Sequence, residues 1–266
     1  MLRFDKISLG FGDGPVLKNF SLEVLPGEVV VLLGRSGCGK TTLLRLAAGL
    51  LRPDAGRVAN GFSRTAVVFQ EPRLLPWSSA RENVAFALAA RGVPPAERDA
   101  CAKALLARFG FAAADMEKRP LALSGGMQSR VAIARALVVE PDLVLMDEPF
   151  AALDIGLRRD LQDLVRETVE STRRAVLFVT HDVTEAVRLA DRLVVLSPRP
   201  AKIVHEARTV PVVDPARIHM AAAALLDRPE VSGALMLSGR PPAATPVEEG
   251  YAEMPAVPDC VSGAAG

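Results

Sequence analysis

The sequence predicts an α/β fold built on a mostly parallel sheet. Short β-branched apolar runs recur along the chain, and longer stretches of helical pattern separate them. The runs are apolar throughout instead of alternating, as in strands covered on both faces by crossover helices. Half of the 266 residues are hydrophobic, enough for a substantial core, which excludes a disordered chain.

The elements follow in order. Met1-Leu2-Arg3-Phe4-Asp5 brings an acidic residue early, and no apolar segment of signal-peptide length precedes Gly10. Nothing directs the chain out of the cytoplasm. Val29-Val30-Val31-Leu32-Leu33 is the first clear strand, and Gly34-Arg35-Ser36-Gly37-Cys38-Gly39-Lys40-Thr41-Thr42 follows it, with a helical run from Leu43 to Ala48. This is G-x-x-x-x-G-K-[ST] between a strand and a helix, the order the motif requires. Glycines let backbone N–H groups curl round a phosphate, and the helix start adds its positive end. Lys40 is placed to reach the outer phosphates and Thr41 to hold Mg²⁺; a plain glycine-rich connection is the alternative.

Ala66-Val67-Val68-Phe69 is the next strand, and from Glu82 to Gly110 the pattern is helical and Ala-rich, broken by Val93-Pro94-Pro95. A helical subdomain over about 78–140 is expected. Within it Ser124-Gly125-Gly126 precedes a second helical run, Val131 to Leu137, and makes another anion-binding end; taken alone it is a weak signal, since Ser-Gly-Gly before a helix is ordinary capping. Leu143-Val144-Leu145-Met146 then delivers Asp147-Glu148 to the C-terminal end of a strand, where open parallel sheets bind ligands. One carboxylate can hold Mg²⁺, assigned to Asp147, while Glu148 orients and polarises a water for attack on a γ-phosphate.

Val176-Leu177-Phe178-Val179 leads to Thr180-His181-Asp182, which puts His181 at another strand end, and Leu193 to Leu196 is the last clear strand. From about Pro198 the composition shifts to Pro, Ala and Gly. The segment from Pro241-Pro242 to Gly266 has little to fold with and is expected to be a mobile tail.

Other classes are excluded by composition. A net charge of +1 gives no basic field for nucleic acid. Cys38, Cys101 and Cys260 are far apart and form no C-x-x-C pair, against both a disulfide framework and a zinc site. The longest apolar runs fall far short of the roughly 20 residues that cross a bilayer.

Leu123-Ser124-Gly125-Gly126 upstream of Leu143-Val144-Leu145-Met146-Asp147-Glu148-Pro149 resembles the signature and Walker B segments of ATP-binding-cassette (ABC) ATPases, over about residues 7–212. The resemblance implies a P-loop NTPase core with an N-terminal antiparallel β subdomain and the helical signature subdomain, an ABC ATPase domain over 1–213, and a C-terminal extension over 214–266. It implies a head-to-tail homodimer in which ATP and Mg²⁺ sit on Gly34, Arg35, Ser36, Gly37, Cys38, Gly39, Lys40, Thr41 and Thr42 of one subunit and Ser124, Gly125 and Gly126 of the other.

By the same resemblance, Phe11 stacks on adenine, although it also reads as a core residue after a first strand. Gln70 senses Mg²⁺ and faces the transmembrane partner, Asp154 contacts the opposite subunit or serves only as an N-cap, and His181 contacts the γ-phosphate.

Two further segments, Gln70-Glu71-Pro72-Arg73-Leu74-Leu75-Pro76-Trp77 and Leu196-Ser197-Pro198-Arg199-Pro200-Ala201-Lys202-Ile203-Val204, are similar to importer ATPases of the nitrate, sulfonate and taurine type. That likeness implies a permease docked near Gln70 to Trp77, a solute-binding protein acting through it, no nucleic-acid partner, and a peripheral place on the cytoplasmic face of the membrane. A soluble ABC-type ATPase with no transport role is the alternative. The chain departs from the pattern in a shortened 56–66 segment, in Met127 and Ser129 where glutamines are usual, and in a polar Ser78-Ser79-Ala80.

Overall fold

The computed structural model describes residues 1–235, Ala152 excepted, so the tail expected from Pro241 lies outside the described residues. The chain opens with β1 (Leu2–Phe11) and β2 (Gly14–Val24), an antiparallel hairpin closed at Phe11 and Gly14. Next come β3 (Val29–Leu33), α1 (Lys40–Ala47), β4 (Ala55–Asn60) and β5 (Thr65–Val68). The helical stretch comprises α2 (Ala80–Ala89), α3 (Pro95–Arg108), α4 (Ala113–Met116), a 3₁₀ turn at Pro120–Ala122 and α5 (Gly125–Leu137). The chain then runs through β6 (Leu143–Asp147), α6 (Ile155–Thr172), β7 (Ala175–Thr180), α7 (Val183–Leu189), β8 (Arg192–Leu196) and β9 (Ile203–Arg208). It closes with α8 (Pro215–Leu226) and α9 (Pro229–Leu235).

The central sheet runs β5-β6-β7-β3-β8-β9, parallel from β5 to β8 with β9 antiparallel at the edge, which is the mostly parallel α/β sheet the apolar runs predict. Every residue of β3, β6 and β7 is buried, so both faces are covered. A separate antiparallel sheet, β2-β1-β4, flanks it. In β1 the buried positions change parity from Leu2 and Phe4 to Ile7 and Leu9 across an irregularity between Phe4 and Ile7, where Lys6 has φ 49°. The two faces of the central sheet feed two apolar clusters, one under the helices and one shared with the N-terminal sheet through Val30, Leu32, Leu43 and Leu44.

The parallel registers align strand ends. Leu33 pairs with Thr180, and Asp147 pairs with Val179, so the C-terminal ends of β3, β6 and β7 form one edge. The segment after Asp214, for which the sequence offers no account, forms α8 and α9. Ile218, Ala222 and Leu225 repeat at helical spacing and are buried, as are Val231 and Ala234. α8 packs on α7 and α9 on β9, where His205 Nδ1 lies 3.4 Å from a carboxylate oxygen of Glu230.

Candidate functional site

The site grows from the turn between β3 and α1. Gly39 is the N-cap of α1 at φ 119°, a conformation that glycine adopts without steric cost, and an added Cβ there would lie 3.0 Å from Val16 Cγ1. A Cβ on Gly34 would lie 2.9 Å from Cys38 Sγ, so the start of the loop is as tightly fitted as its end. Arg35, Ser36 and Gly37 form the exposed tip, and Cys38 is buried beneath it, where burial pushes its thiol pKa up. Lys40 is 4% exposed, and its Nζ donates to the carbonyls of Gly34 at 2.7 Å and Arg35 at 2.9 Å. The ammonium thus sits across the mouth of its own loop.

Opposite the loop stands the acidic pair. Thr41 Oγ1 donates to Asp147 Oδ1 at 3.1 Å, and burial raises the Asp147 pKa while the Thr41 hydrogen bond opposes that rise. A hydroxyl and a carboxylate oxygen so placed are hard ligands of the kind Mg²⁺ takes alongside phosphate oxygens. Glu148 has φ 45°, a left-handed backbone rare for a side chain of its size and one that costs about 1–2 kcal/mol. That conformation turns its carboxylate off the strand: Oε1 lies 4.0 Å from Lys40 Nζ, and Oε2 lies 3.1 Å from His181 Nδ1. His181 is 57% exposed, so its ring reaches over the strand edge into solvent.

The structure therefore brings together Lys40, Thr41, Asp147, Glu148 and His181. Phe11, at the end of β1, is 51% exposed and so is not a core residue. Gln70 lies exposed just past β5 at the same sheet edge. Ser124 is exposed at the N-cap of α5, with its Oγ accepting from Met127 N–H at 3.2 Å, and the position of Gly125 is open to solvent. Asp154 is the exposed N-cap of α6, accepting from Leu157 N–H at 2.9 Å. Among the described residues no hydrogen bond or ion pair joins Ser124, Gly125, Gly126 or Asp154 to the loop of residues 34–42.

Sequence reasoning passed over the residues that hold these groups in place. Asn83, wholly buried in α2, accepts from Leu75 N–H at 2.7 Å and donates to the carbonyls of Leu75, Ser78 and Ser79. Arg135 in α5 donates to the carbonyls of Pro72 at 2.8 Å and Arg73 at 2.9 Å. Glu185 accepts from Thr180 Oγ1 at 2.6 Å beneath His181, and burial pushes its carboxyl pKa up. A polar residue on the apolar face of a predicted helix was the available signal for Asn83; for Arg135 and Glu185 no local pattern exists.

A glycine-rich turn carrying a lysine at the start of a helix, beside a carboxylate pair at the C-terminal end of β6, is the arrangement of a nucleoside triphosphatase built on a parallel sheet. The comparisons with known proteins are specific. The model of the ABC transporter family matches residues 17–151. An aliphatic sulfonates import ATP-binding protein of Granulibacter bethesdensis is 49% identical over 225 residues, 85% of this chain and 90% of that protein. A taurine import ATP-binding protein of Mesorhizobium japonicum is 47% identical over 213 residues, 76% of this chain and 82% of that one. Among solved structures, a dimeric ATP-binding cassette in a post-hydrolysis state, bound to ADP and Pi, superposes with TM-score 0.73 at 28% identity, covering 80% of this chain and all of that one. The chain belongs to the ABC transporter family, and it is an ATP-binding, ATP-hydrolysing subunit.

Proposed function

We propose that this ATPase drives an importer: two copies bind ATP between them at the cytoplasmic face of the membrane and act on separate permease subunits. The observation that carries the reading is the division of the anion-binding groups. One chain holds a lysine loop beside an acidic pair and, in solvent, a second helix tip at Ser124-Gly125-Gly126 that, among the described residues, is not bonded to that loop. A second copy supplies the missing half, with Asp154 beside the junction. The relatives named as sulfonate and taurine import proteins support import of a small anionic solute, nitrate, sulfonate or taurine in type. Trp77, 69% exposed between Pro76 and Ser78, is the apolar anchor we assign to the permease contact. Among the described residues no helix is long and apolar enough to cross a membrane, in keeping with a peripheral subunit.

The residues divide the chemistry as follows. Gly34 to Thr42 and the dipole of α1 bind the phosphates, Lys40 neutralises the outer ones, and Phe11 covers the adenine. Thr41 and Asp147, with Gln70, would hold Mg²⁺, which would supply charge neutralisation for the phosphates. Glu148 accepts a hydrogen bond from the attacking water and aims it at the γ-phosphorus; His181, whose Nδ1 lies 3.1 Å from Glu148 Oε2, reaches the γ-phosphate from the other side. The partner's signature turn closes the site against bulk water.

Glu148→Gln is the test. The variant keeps the side chain's shape and loses its negative charge, so it is expected to bind ATP, lose nearly all turnover and accumulate as a dimer in gel filtration with ATP. Full hydrolysis overturns the role of Glu148, and a monomer under saturating ATP with the permease present overturns the shared site. Co-purification with a multispanning membrane protein tests the transport reading against a soluble ATPase.

A further inference from the structure

We infer that Arg199 is a second cation of the nucleotide site, holding the tip of the phosphate loop and setting a positive charge beside the bound phosphates. The inference rests on the reading of residues 34–42 as the ATP site. Arg199 lies in the Ser197-Pro198-Arg199-Pro200 segment between β8 and β9, far in sequence from every motif that carries the chemistry.

Geometry brings it back to the loop. Its Nε donates to the carbonyl of Gly37 at 2.7 Å. The segment that carries it is rigidly seated. Ser197 N–H and Lys202 C=O pair at 2.9 Å, Lys202 N–H donates to Ser197 Oγ at 3.0 Å, and Ala201 N–H donates to Val16 C=O at 2.8 Å. Ala201 is fully buried beneath Gly39, where an added Cβ would lie 3.6 Å from its own, and a Cβ on Gly34 would lie 3.4 Å from Leu196 Cβ. The loop between β8 and β9 therefore forms the floor and one wall of the phosphate turn.

Two consequences follow from the chemistry. In a trans peptide the carbonyl and the following N–H point in opposite directions. A guanidinium that fixes the Gly37 oxygen outward thus turns the Cys38 N–H inward, where it donates to the Arg35 carbonyl at 3.3 Å and holds the loop tip closed. A guanidinium also has five N–H donors, and Arg199 uses one. Among the described residues no carboxylate neutralises it, and its terminal nitrogens make no hydrogen bond. An exposed, unneutralised cation held at the tip of an anion-binding turn adds attraction for a polyphosphate that strengthens with phosphate count and weakens with salt.

The experiment compares Arg199→Gln, which can still donate to Gly37 but is neutral, with Arg199→Lys, which keeps the charge, in the full chain. ADP and ATP affinities and steady-state ATPase kinetics are measured at low and high salt, with thermal melting as the folding control. Arg199→Gln is expected to weaken ATP binding roughly ten-fold at low salt and ADP binding less, to raise KM with kcat within about two-fold, and to lose most of the salt dependence; Arg199→Lys recovers much of the affinity. Wild-type affinity in Arg199→Gln, or an equal loss in both variants, overturns the charged role. Lys40→Ala run in parallel separates the two claims: if it binds nucleotide normally, the site itself is misread, whereas if it fails to bind and Arg199→Gln does not, only the inference about Arg199 falls.

Discussion

Lys40 shows how a single charge is stored until it is needed. Its ammonium is buried, with carbonyl oxygens of Gly34 and Arg35 as its closest partners and Glu148 Oε1 at 4.0 Å. In the proposed site a triphosphate would replace these neutral acceptors with anionic ones, a gain made only when nucleotide enters. Lys40→Ala is expected to weaken ATP binding more than about ten-fold, read by titration with a fluorescent nucleotide. Glu185 poses the opposite case. Burial raises its folded pKa above the unfolded value, so its ionised form costs stability at pH above that folded pKa and costs nothing well below the unfolded one. Glu185→Gln removes the titration. Its melting temperature relative to wild type should therefore rise as pH increases from about 4 towards 8; a difference that is flat or falls with pH contradicts the assignment.

At the scale of elements, the segment from Gln70 to Trp77 is held by helices on both sides. Asn83 of α2 grips Leu75 through both its N–H and its C=O, and Arg135 of α5 grips Pro72 and Arg73. Arg73 itself, at φ 45°, lies with its guanidinium 4.3 Å over the Phe69 ring. The same α5 presents Ser124 at its N-cap, so under the proposed permease contact a displacement of the segment would be passed to the Ser124 turn through one helix. Arg135→Met is expected to leave nucleotide affinity within about two-fold while hydrogen exchange of amides 71–77 quickens by roughly ten-fold or more, since two hydrogen bonds to a charged donor are lost. Asn83→Ala removes a wholly buried amide with four partners, and a loss of about 2–4 kcal/mol in urea unfolding is expected.

For the molecule as a whole, the packing of α8 and α9 ties the segment after 213 to the ATPase body. Ile218, Leu225 and Val231 are nearly solvent-free, and Arg188 of α7 donates to Val213 C=O at 3.2 Å. Ending the chain at residue 213 exposes the faces of α7 and β9 that these side chains cover. Each such apolar side chain contributes about 1.5–3 kcal/mol by burial, so the shortened protein is expected to melt several degrees lower while the proposed nucleotide site, at the C-terminal end of β3, keeps its affinity. An unchanged melting curve would show that the covering is superficial.

The sequence alone determined the sheet class, because strands buried on both faces are written as unbroken apolar runs such as Val29 to Leu33. It also put the glycine-lysine turn of residues 34–42 and the Asp147-Glu148 pair at strand ends, because each directly follows an unbroken apolar run. It left α8 and α9 unread, since Ala-rich turns between prolines look like linker until β9 and α7 are there to cover. Tertiary structure alone decided that Glu148 turns at φ 45° towards Lys40 and His181, that Arg135 and Asn83 hold one loop between two helices, and that Arg199 reaches Gly37 across 162 residues of chain. Local pattern records which face of an element is apolar; which strand ends lie side by side is set by the order of a sheet, and that order is a property of the packed whole.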